Sequence, residues 1–436
     1  MDRLYKYVSS LVMYNGSRKD TILARLGELI KNYEINPVSG RNPQAEINDE
    51  IHKLLEIATR YGFTENLWKS YVAYLMATDE NPFSILCEMV GAAEGASANL
   101  IVKKDMENFY HIYNYDFTKA ESVIGTDVFT LLSHYTSMHK EANTYNTGVS
   151  EKVKLLRAEL DHGENGDDFF RIITDFYRRF GVGKLGLNKA FRLEGSGRDM
   201  EIIPVTNTSD VTLSHLVGYD DQKDRLIENT EAFVMGRPAN NVLLYGDAGT
   251  GKSTCIKAII NRYYDKGLRL IEIYKHQLRE LSQVISQVKN RNYRFIIYMD
   301  DLSFEDFETE YKYLKAVIEG GMEVRPENVL IYATSNRRHL IRETWSDRTD
   351  MTDDEIHRSD TMQEKLSLVA RFGVTINFDK PSKKLFDEIV ISLAEGAGIN
   401  MEKEELLAKA NVWSLRHGGY SGRNAEYFVV NLLSKG

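Results

Sequence analysis

A glycine-rich loop between a short apolar run and a helical pattern constrains the fold of this 436-residue chain more than any other feature. The stretch NVLLYGDAGTGKST has the spacing G-x-x-x-x-G-K-[ST] at Gly246–Ser253. Glycines let consecutive backbone N–H groups turn inward around an anion, and the following helix adds the positive end of its dipole. In this motif the lysine reaches the β- and γ-phosphates and the hydroxyl holds Mg²⁺. The predicted cofactor-binding residues are Gly246, Asp247, Ala248, Gly249, Thr250, Gly251, Lys252, Ser253 and Thr254.

A second apolar run, FIIYM (295–299), ends in two aspartates. A strand beside the loop strand should end in a carboxylate that orders the Mg²⁺ hydration shell, and Asp300 fits that role together with Ser253. Asp301 then stands where a base or water-orienting carboxylate is needed. Glutamate is common there, and aspartate is one methylene shorter; a misplacement of about 1 Å costs on the order of 10²-fold in rate. The pair predicts slow turnover, while acidic capping of a turn is the alternative.

Downstream of the loop, short apolar runs alternate with amphipathic helical patterns. Besides the two runs above, these are LRLIEI (268–273), VLIYA (329–333) and VTINF (374–378). Such alternation predicts a parallel β-sheet with helices on both faces. From Pro381 onward only helical patterns remain, which predicts a small C-terminal helical domain.

The first part of the chain has a different character, because helical periodicity dominates it. The segment EIHKLLEIATRYG places Ile51, Leu54 and Leu55 on one helical face and ends at Gly62. This pattern dissolves in EGSGRDMEIIPVTNTSD. We therefore divide the chain into a mainly helical N-terminal domain (1–195), a linker (196–210), an α/β nucleotide-binding domain (211–380) and a helical domain (381–436).

Composition narrows the class of protein. The chain is 42% hydrophobic and 27% charged, which is ordinary for a globular protein, and its net charge of -9 argues against a general nucleic-acid coat. Two cysteines cannot form a disulfide framework, so we expect a reducing cytoplasmic setting. No run approaches the ~20 apolar residues that cross a bilayer, so no membrane partner is expected.

A second glycine motif, GVGKLG at Gly181–Gly186, has the spacing G-x-G-x-x-G. A dinucleotide site of this kind requires a strand before the glycines and a helix after them. The preceding segment, FFRIITDFYRRF, has helical periodicity instead. We interpret GVGKLG as a loop after a helix.

The order of motifs resembles that of AAA+ ATPases. The loop and the aspartate pair are followed by ATSNRR (333–338), LVARFG (368–373) and SGR (421–423). More closely, the chain resembles an uncharacterised bacterial family of predicted AAA+ ATPases, with which it shares VGYD, MDDLSFE, LKAVIEGG and NVLIYATSNRRHLI. The resemblance is specific over residues 205–436 and weaker before them. It implies an α/β P-loop NTPase with a five-stranded parallel sheet of order 5-1-4-3-2 and a C-terminal helical lid.

The resemblance also implies roles for residues outside the loop. Asn336 matches sensor 1, which helps to place the attacking water. Arg371 resembles an arginine finger that reaches a neighbouring subunit's γ-phosphate, so a homo-oligomer with a shared ATP site is implied, and Arg423 resembles the lid arginine of sensor 2. The predicted catalytic residues are Asp301, Asn336, Arg371, Arg423 and Lys252, the predicted metal ligands are Ser253 and Asp300, and Val217, Gly218 and Tyr219 resemble the lining of an adenine pocket.

The partner on which such a protein acts is less constrained. Unfoldases of this class grip polypeptide with an aromatic-hydrophobic-glycine loop, whereas here Tyr274 is followed by no glycine and the connection is short. Arg337, Arg338 and Arg342 form a basic cluster, for which a solvated surface and a nucleic-acid contact are both open.

Three functions remain as alternatives. The favoured one is Mg²⁺-dependent ATP hydrolysis coupled to remodelling or loading of an unidentified protein partner through the N-terminal half. The second is a nucleotide-gated scaffold with little turnover. The third is a P-loop kinase, which Asn336 and the separate lid arginine disfavour.

Overall fold

The computed structural model describes residues 4–19, 21–35, 43–92, 95–136, 147–206, 208–304, 309–319, 326–336 and 368–434. The basic cluster of Arg337, Arg338 and Arg342 lies outside these ranges. The chain divides into two compact units: residues 1–188 with 204–207, and residues 189–203 with 208–436. Within the described ranges, no helix has both the length and the apolar content to cross a membrane.

The N-terminal unit is helical, as its periodicity predicts. Its helices are α1 (Leu4–Ser9), α2 (Ile22–Ile35), α3 (Pro43–Tyr61), α4 (Leu67–Thr78), α5 (Pro82–Val90), α6 (Ser97–Tyr113), α7 (Thr118–Ile124), α8 (Val128–Leu132), α9 (Thr147–Asp161), α10 (Gly166–Phe180) and α11 (Gly183–Leu187). The apolar face predicted from Ile51, Leu54 and Leu55 points inward on α3, where Ile51 and Leu54 are buried. Helix α3 ends before Gly62, which has a positive φ of 63°.

Local capping explains where several of these helices begin. Asn81 accepts hydrogen bonds from the backbone N–H groups of Phe83 and Ser84, and the Ser84 hydroxyl accepts one from the Asn81 N–H. This reciprocal capping box, with Pro82 at the first helical position, fixes the start of α5. Asn165 caps α10 with its side chain, which accepts from the Asp168 N–H.

A buried carboxylate ties the loop after α1 to α6. Asp105 is fully buried, and its oxygens accept hydrogen bonds from the backbone N–H groups of Val12, Met13 and Tyr14 at 2.7 to 3.1 Å. Burial raises the pKa of Asp105, and the three donors work against that rise. The side chain therefore satisfies polar backbone groups that no helix or strand partners.

Replacing Asp105 with alanine should loosen this connection. The Asp105→Ala change leaves three backbone donors without this acceptor, of which the Tyr14 N–H is buried, and we expect a loss of about 2–3 kcal/mol in the unfolding free energy of the N-terminal unit. Pulsed hydrogen exchange of α6 peptides across a urea series measures it. The exposed Asp127 at the start of α8 is the matched control, since Asp127→Ala should cost no more than ~0.5 kcal/mol. Equal losses in both variants would contradict the assignment.

The second unit is built on a sheet. Its elements are β1 (Ala190–Glu194), β2 (Glu201–Pro204), α12 (Asp220–Val234), β3 (Val242–Gly246), α13 (Lys252–Tyr263), β4 (Leu268–Glu272), α14 (Leu281–Val288), β5 (Arg294–Met299), α15 (Tyr311–Glu319), β6 (Val329–Ser335), β7 (Val374–Phe378), α16 (Lys383–Gly396), α17 (Lys403–Arg416) and α18 (Gly422–Leu433). Every residue of β6 is buried, as expected for a strand at the centre of a parallel sheet.

The strand order corrects the expected sheet. A five-stranded sheet of order 5-1-4-3-2 is wrong, because seven strands pair in the order β2-β1-β4-β5-β6-β3-β7. The five strands that the sequence singled out lie side by side from β7 to β4, and β1 and β2 extend the sheet beyond β4. The pairs β1–β4, β4–β5, β5–β6, β6–β3 and β3–β7 are all parallel. The coarser expectation, an α/β fold with a parallel sheet and a glycine loop between β3 and α13, is confirmed for the neighbouring strands β4, β5, β6, β3 and β7.

Of the two extra strands, β1 lies at the end of the predicted N-terminal domain and β2 lies in the predicted linker. The expected linker, 196–210, contains a 3-10 helix (Gly197–Asp199) and strand β2. Strand β1 pairs with β4, so residues 189–195, which were predicted to be part of the N-terminal domain, belong to the second unit. In β1 only Phe191 and Leu193 alternate with polar residues, which is too short a pattern to stand out from a loop.

The C-terminal helices α16, α17 and α18 pack around a small apolar core of their own. Phe386, Val390, Ala410 and Ala425 are fully buried in it. Ser421 begins α18 by accepting a hydrogen bond from the Asn424 N–H at 3.1 Å. The segment after 381 is therefore a separate helical layer that follows the last sheet strand.

Candidate functional site

Parallel pairing brings the predicted site residues to one edge of the sheet. In the register of β3 with β6, Tyr245 lies opposite Ser335, and in that of β5 with β6, Met299 lies opposite Ala333. The loop after β3, the aspartates after β5 and Asn336 after β6 therefore leave the sheet at its carboxyl end. In open α/β sheets this end is where ligands bind.

The loop after β3 has a backbone that only glycine adopts freely. Gly246, Gly249 and Gly251 have φ values of 129°, 76° and 94°. A Cβ on Gly246 would overlap the carbonyl oxygen of Phe378, and the Asp247 N–H donates to that same oxygen at 3.0 Å. The end of β7 thus holds the start of the loop in place, and the glycine spacing is required by sterics.

The lysine of the loop is buried and held by oxygen atoms. Lys252 Nζ donates to the carbonyl oxygens of Gly246 and Asp247 at 3.0 and 2.6 Å, and to Asn336 Oδ1 at 3.0 Å. Burial lowers the pKa of Lys252, which the carboxylates of Asp301, Asp247 and Asp300 partly oppose. An anionic ligand beside Nζ would stabilise the charged form further.

Asp300 accepts two hydroxyl hydrogen bonds. Ser253 Oγ and Thr334 Oγ1 donate to Asp300 Oδ1 at 2.7 and 2.6 Å. Burial acts to raise the pKa of Asp300, but these donors, together with the Tyr298 hydroxyl and the charge of Lys257, outweigh it and leave the pKa below its ordinary value. The carboxylate is therefore ionised at neutral pH, as a metal ligand must be.

Asp301 differs from Asp300 in its backbone conformation and in its hydrogen-bond partner. Its φ of 49° is left-handed, and its Oδ1 accepts a hydrogen bond from Asn336 Nδ2 at 2.7 Å. Asn336 therefore bridges Asp301 and Lys252 through the two ends of one amide. The structure brings together four of the five predicted catalytic positions near the loop, if the backbone of Arg423 is included.

Arg423 reaches the loop through the helix that carries it. The Arg423 N–H donates to the Gly249 carbonyl oxygen at 3.2 Å, and a Cβ on Gly249 would lie 3.0 Å from the Arg423 Cβ. The guanidinium charge of Arg423 adds slightly to the lowering of the Lys252 pKa. The N-terminus of α18 thus lies against the phosphate-binding loop.

The remaining predicted residues of the loop are Ala248, Thr250 and Thr254. Ala248 is exposed, Thr250 Oγ1 donates to the Asp247 carbonyl oxygen at 2.9 Å, and Thr254 lies in the first turn of α13.

The predicted adenine-lining stretch lies between β7 and the C-terminal helices. Val217 packs against the apolar core of α16 to α18, and a Cβ on Gly218 would overlap Leu385. Tyr219 has a left-handed φ of 57°, and its hydroxyl donates to the Asp379 carbonyl oxygen at 2.7 Å. Burial, with the nearby carboxylate of Asp379, raises the pKa of Tyr219 to about 12, so its hydroxyl remains a donor.

Arg371 is not joined to the rest of the site. Its guanidinium forms an ion pair with Glu319 at the end of α15, and within the described ranges it has no hydrogen bond to Lys252, Asp301 or Asn336. A group that serves a neighbouring subunit's site would lie apart in this way, but so would a purely structural ion pair.

The backbone of the second glycine motif lies against two carboxylate side chains of the N-terminal unit, Glu80 and Glu88. Helix α10 precedes it, the Val182 N–H donates to Glu88 Oε2 at 2.9 Å, and a Cβ on Gly183 would overlap the Glu80 side chain. The interpretation as a loop is only partly right, because Gly183–Gly186 lies in the short helix α11, but a helix and not a strand precedes the motif, as expected.

The residues around the first loop fit a nucleoside triphosphate with Mg²⁺. The glycine cradle and buried Lys252 suit phosphate oxygens, and the Ser253 hydroxyl with the ionised Asp300 offers the oxygen donors that Mg²⁺ prefers. Mg²⁺ usually keeps several waters and takes one or two protein ligands, so a larger set of carboxylates is not needed.

Sequence reasoning missed two residues at this edge. Thr334 precedes Asn336 by two positions and bonds to both aspartates. Glu272 ends β4, and burial together with the Asp300 carboxylate raises its pKa. An acidic residue at the end of the neighbouring strand was a usable signal for Glu272, whereas the hydroxyl of Thr334 carries no such signal.

Comparison with known proteins gives a family and a distant structural likeness. Residues 187–436 match the model of a family described as "Protein of unknown function (DUF815)". The Holliday junction branch migration motor RuvB of Thermotoga maritima aligns with 15% identity and a TM-score of 0.35, over 51% of this chain and 64% of that chain. A point mutant of the same RuvB aligns with 16% identity and a TM-score of 0.37, over 51% of this chain and 65% of that chain. The chain thus spans less than two thirds of these RuvB structures. No curated protein matches the chain.

A substitution at Gly246 tests the geometry of the loop without any ligand. The Gly246→Ala change adds both a positive-φ cost of about 1–2 kcal/mol and a clash with the Phe378 backbone, for which we expect a further ~1–3 kcal/mol. Gly267→Ala is the matched control, because Gly267 has a φ of 89° and open space around its Cβ. Pulsed hydrogen exchange of β3 peptides in urea measures both losses, and equal losses would show that the close approach to β7 is absent.

Proposed function

The chain belongs to the DUF815 family, and we propose that it is a Mg²⁺-dependent ATPase of the AAA+ type whose turnover is slow. The observation that carries the proposal is the hydrogen-bonded series Lys252–Asn336–Asp301, which lies beside the Ser253–Asp300 pair at the carboxyl end of the sheet. A P-loop alone supports phosphate binding. A carboxylate and an amide next to its lysine support the further step of directing water at the terminal phosphate.

Each residue then has a distinct task. The amides of residues 246–253 and Lys252 would bind the phosphates, while Ser253 and Asp300 would hold Mg²⁺, which would neutralise part of the phosphate charge. Asp301 accepts a proton from the attacking water or orients it, and Asn336 fixes that water from the other side. Lys252 Nζ donates to Asn336 Oδ1 at 3.0 Å, and a bound triphosphate would compete for this donor and would free the amide for this role.

Slow turnover follows from the aspartate at position 301. Its carboxylate is shorter than that of glutamate and is already engaged by Asn336 at 2.7 Å. A nucleotide-gated scaffold with little turnover is therefore the second candidate. A P-loop kinase is disfavoured, because Asn336 and Arg423 match residues that serve ATP hydrolysis by water and not phosphate transfer to a second substrate.

The helical N-terminal unit is the candidate site for a protein that is remodelled or loaded, and a homo-oligomer would share ATP sites through Arg371. Threading of polypeptide is disfavoured, since the connection after β4 folds into a 3-10 helix (Lys275–Glu280) with Leu278 buried. A nucleic-acid partner stays open through the basic cluster of Arg337, Arg338 and Arg342.

Binding and hydrolysis can be separated by two substitutions. We expect ATP binding to require Mg²⁺ and to be lost in Lys252→Ala, and we expect Asp301→Asn to retain binding while phosphate release falls at least ~10²-fold. Titration calorimetry measures affinity, and a phosphate-release assay measures turnover. The exposed Lys266 and Asp265 provide the controls Lys266→Ala and Asp265→Asn, which should behave as the unchanged protein.

Two outcomes would count against the enzyme. Tight Mg²⁺-dependent binding without phosphate release at any protein concentration would favour the scaffold. Binding that is unchanged in Lys252→Ala would show that the nucleotide lies elsewhere.

The Arg371–Glu319 ion pair allows a test of the shared site. If Arg371 serves a neighbouring subunit, Arg371→Ala should reduce phosphate release about 10³-fold, as for other arginine fingers, whereas Glu319→Gln should leave most of it. Release per subunit should also fall on dilution. If both variants lose activity and stability equally, Arg371 is a structural partner of Glu319 and the shared site is not supported.

A further inference from the structure

Thr334 is a buried residue whose hydroxyl contacts both aspartates. It lies in β6 and is 2% exposed. Its Oγ1 donates to Asp300 Oδ1 at 2.6 Å and accepts from the Asp301 N–H at 2.9 Å, while its carbonyl oxygen accepts from the Leu302 N–H at 2.7 Å. Three consecutive residues after β5 are thus bound to one residue of the neighbouring strand.

The directions of these bonds are fixed by chemistry. A backbone N–H can only donate, so the Thr334 oxygen must accept from Asp301, and its single proton is left for the Asp300 carboxylate. The β-branched side chain has few rotamers in a strand, and burial on all sides holds the one that is present. The hydroxyl is therefore held between Asp300 and Asp301, with the buried Tyr298 hydroxyl as a third polar neighbour.

The fixed position of the Thr334 hydroxyl matters most for the backbone of Asp301. Its left-handed backbone is sparsely populated for residues other than glycine, although aspartate tolerates it better than most. Such a conformation persists where its surroundings over-determine it. Two hydrogen bonds hold Asp301 in this conformation. Its N–H donates to Thr334 Oγ1, and its carboxylate accepts from Asn336.

We propose that Thr334 is a positioning residue for the ATPase reaction, which orients Asp300 towards Ser253 and Asp301 towards Asn336 through one hydroxyl group. The inference rests on the proposed function. It adds that the aspartate at 301 is matched to a backbone turn set by Thr334, so that the shorter carboxylate still reaches the amide of Asn336. Thr334 itself does not contact nucleotide.

Two variants separate the hydroxyl from the shape of the side chain. Thr334→Val keeps the buried volume and removes the hydroxyl, whereas Thr334→Ser keeps the hydroxyl. In the full chain we expect Thr334→Val to lower kcat about 10- to 100-fold, with KM for ATP within ~3-fold, because a displaced Asp301 affects the chemical step. Thr334→Ser should recover kcat to within ~3-fold of the unchanged protein, since its hydroxyl can still bond to both aspartates. Thr375→Val in β7 is the matched control, and it should change neither quantity.

A second readout needs neither nucleotide nor turnover. Residue-resolved hydrogen exchange should show the Asp301 amide exchanging at least ~10-fold faster in Thr334→Val than in Thr334→Ser, because only the valine removes its acceptor. The Leu302 amide, which bonds to the Thr334 carbonyl oxygen, should stay protected in both variants.

The outcomes distinguish this inference from the proposed function. The inference is overturned if Thr334→Val retains full kcat, if serine fails to restore it, or if Asp301 exchange is the same in both variants. If the unchanged protein releases no phosphate, the proposed ATPase fails by itself. The exchange rates at Asp301 and Leu302 then decide whether Thr334 holds the aspartate turn.

Discussion

The candidate site depends on the parallel pairing of β3, β5 and β6. Because all three strands run in the same direction, the glycine loop, the two aspartates and Asn336 emerge at one edge of the sheet within hydrogen-bonding distance of one another. The three segments that carry these groups are far apart in sequence. A change that shifted one strand by a residue would turn its last side chains to the opposite face. The buried, apolar character of these strands therefore serves the site as much as the core.

The site also concentrates backbone conformations that are costly elsewhere. Among the described residues, three non-glycine positions have a positive φ, and two of them, Tyr219 and Asp301, belong to this edge. Each is held by a hydrogen bond from its own side chain or backbone to a neighbouring segment: Tyr219 to Asp379, and Asp301 to Thr334. Strained residues that are fixed by their surroundings recur at functional sites, where they prepare a geometry before the ligand binds.

Local patterns in the sequence predicted most of the core of this unit. The five apolar runs are strands β3 to β7 within about two residues of their expected ends, and the glycine spacing located the loop, because each signal lies within a few consecutive positions. Strands β1 and β2 were not predicted. In β1 only Phe191 and Leu193 alternate with polar residues, and this short pattern becomes a strand through its pairing with β4. The family resemblance is confirmed at the level of DUF815, while the roles of Asp301, Asn336, Arg371 and Arg423 stay predictions.

What the sequence could not supply was orientation. That Asp301 adopts a left-handed φ, that Thr334 bonds to both aspartates and that Arg371 pairs with Glu319 all follow from distances between segments far apart in the chain. These details decide whether the aspartate pair supports hydrolysis or only binding, since a loop and a lysine suffice for the latter. They also give Asn336 two hydrogen-bond partners, Lys252 and Asp301.

The central claim is that a triphosphate and its Mg²⁺ bind at the loop of residues 246–253, opposite the two aspartates. The most direct measurement is a crystal structure of the full chain with Mg²⁺ and a non-hydrolysable ATP analogue. We expect the phosphates to lie against the loop amides, Lys252 Nζ to have moved from Asn336 Oδ1 to a phosphate oxygen, and Mg²⁺ to lie between Ser253 and Asp300. Nucleotide bound at another surface, or Lys252 still bonded to Asn336 with the analogue present, would contradict it.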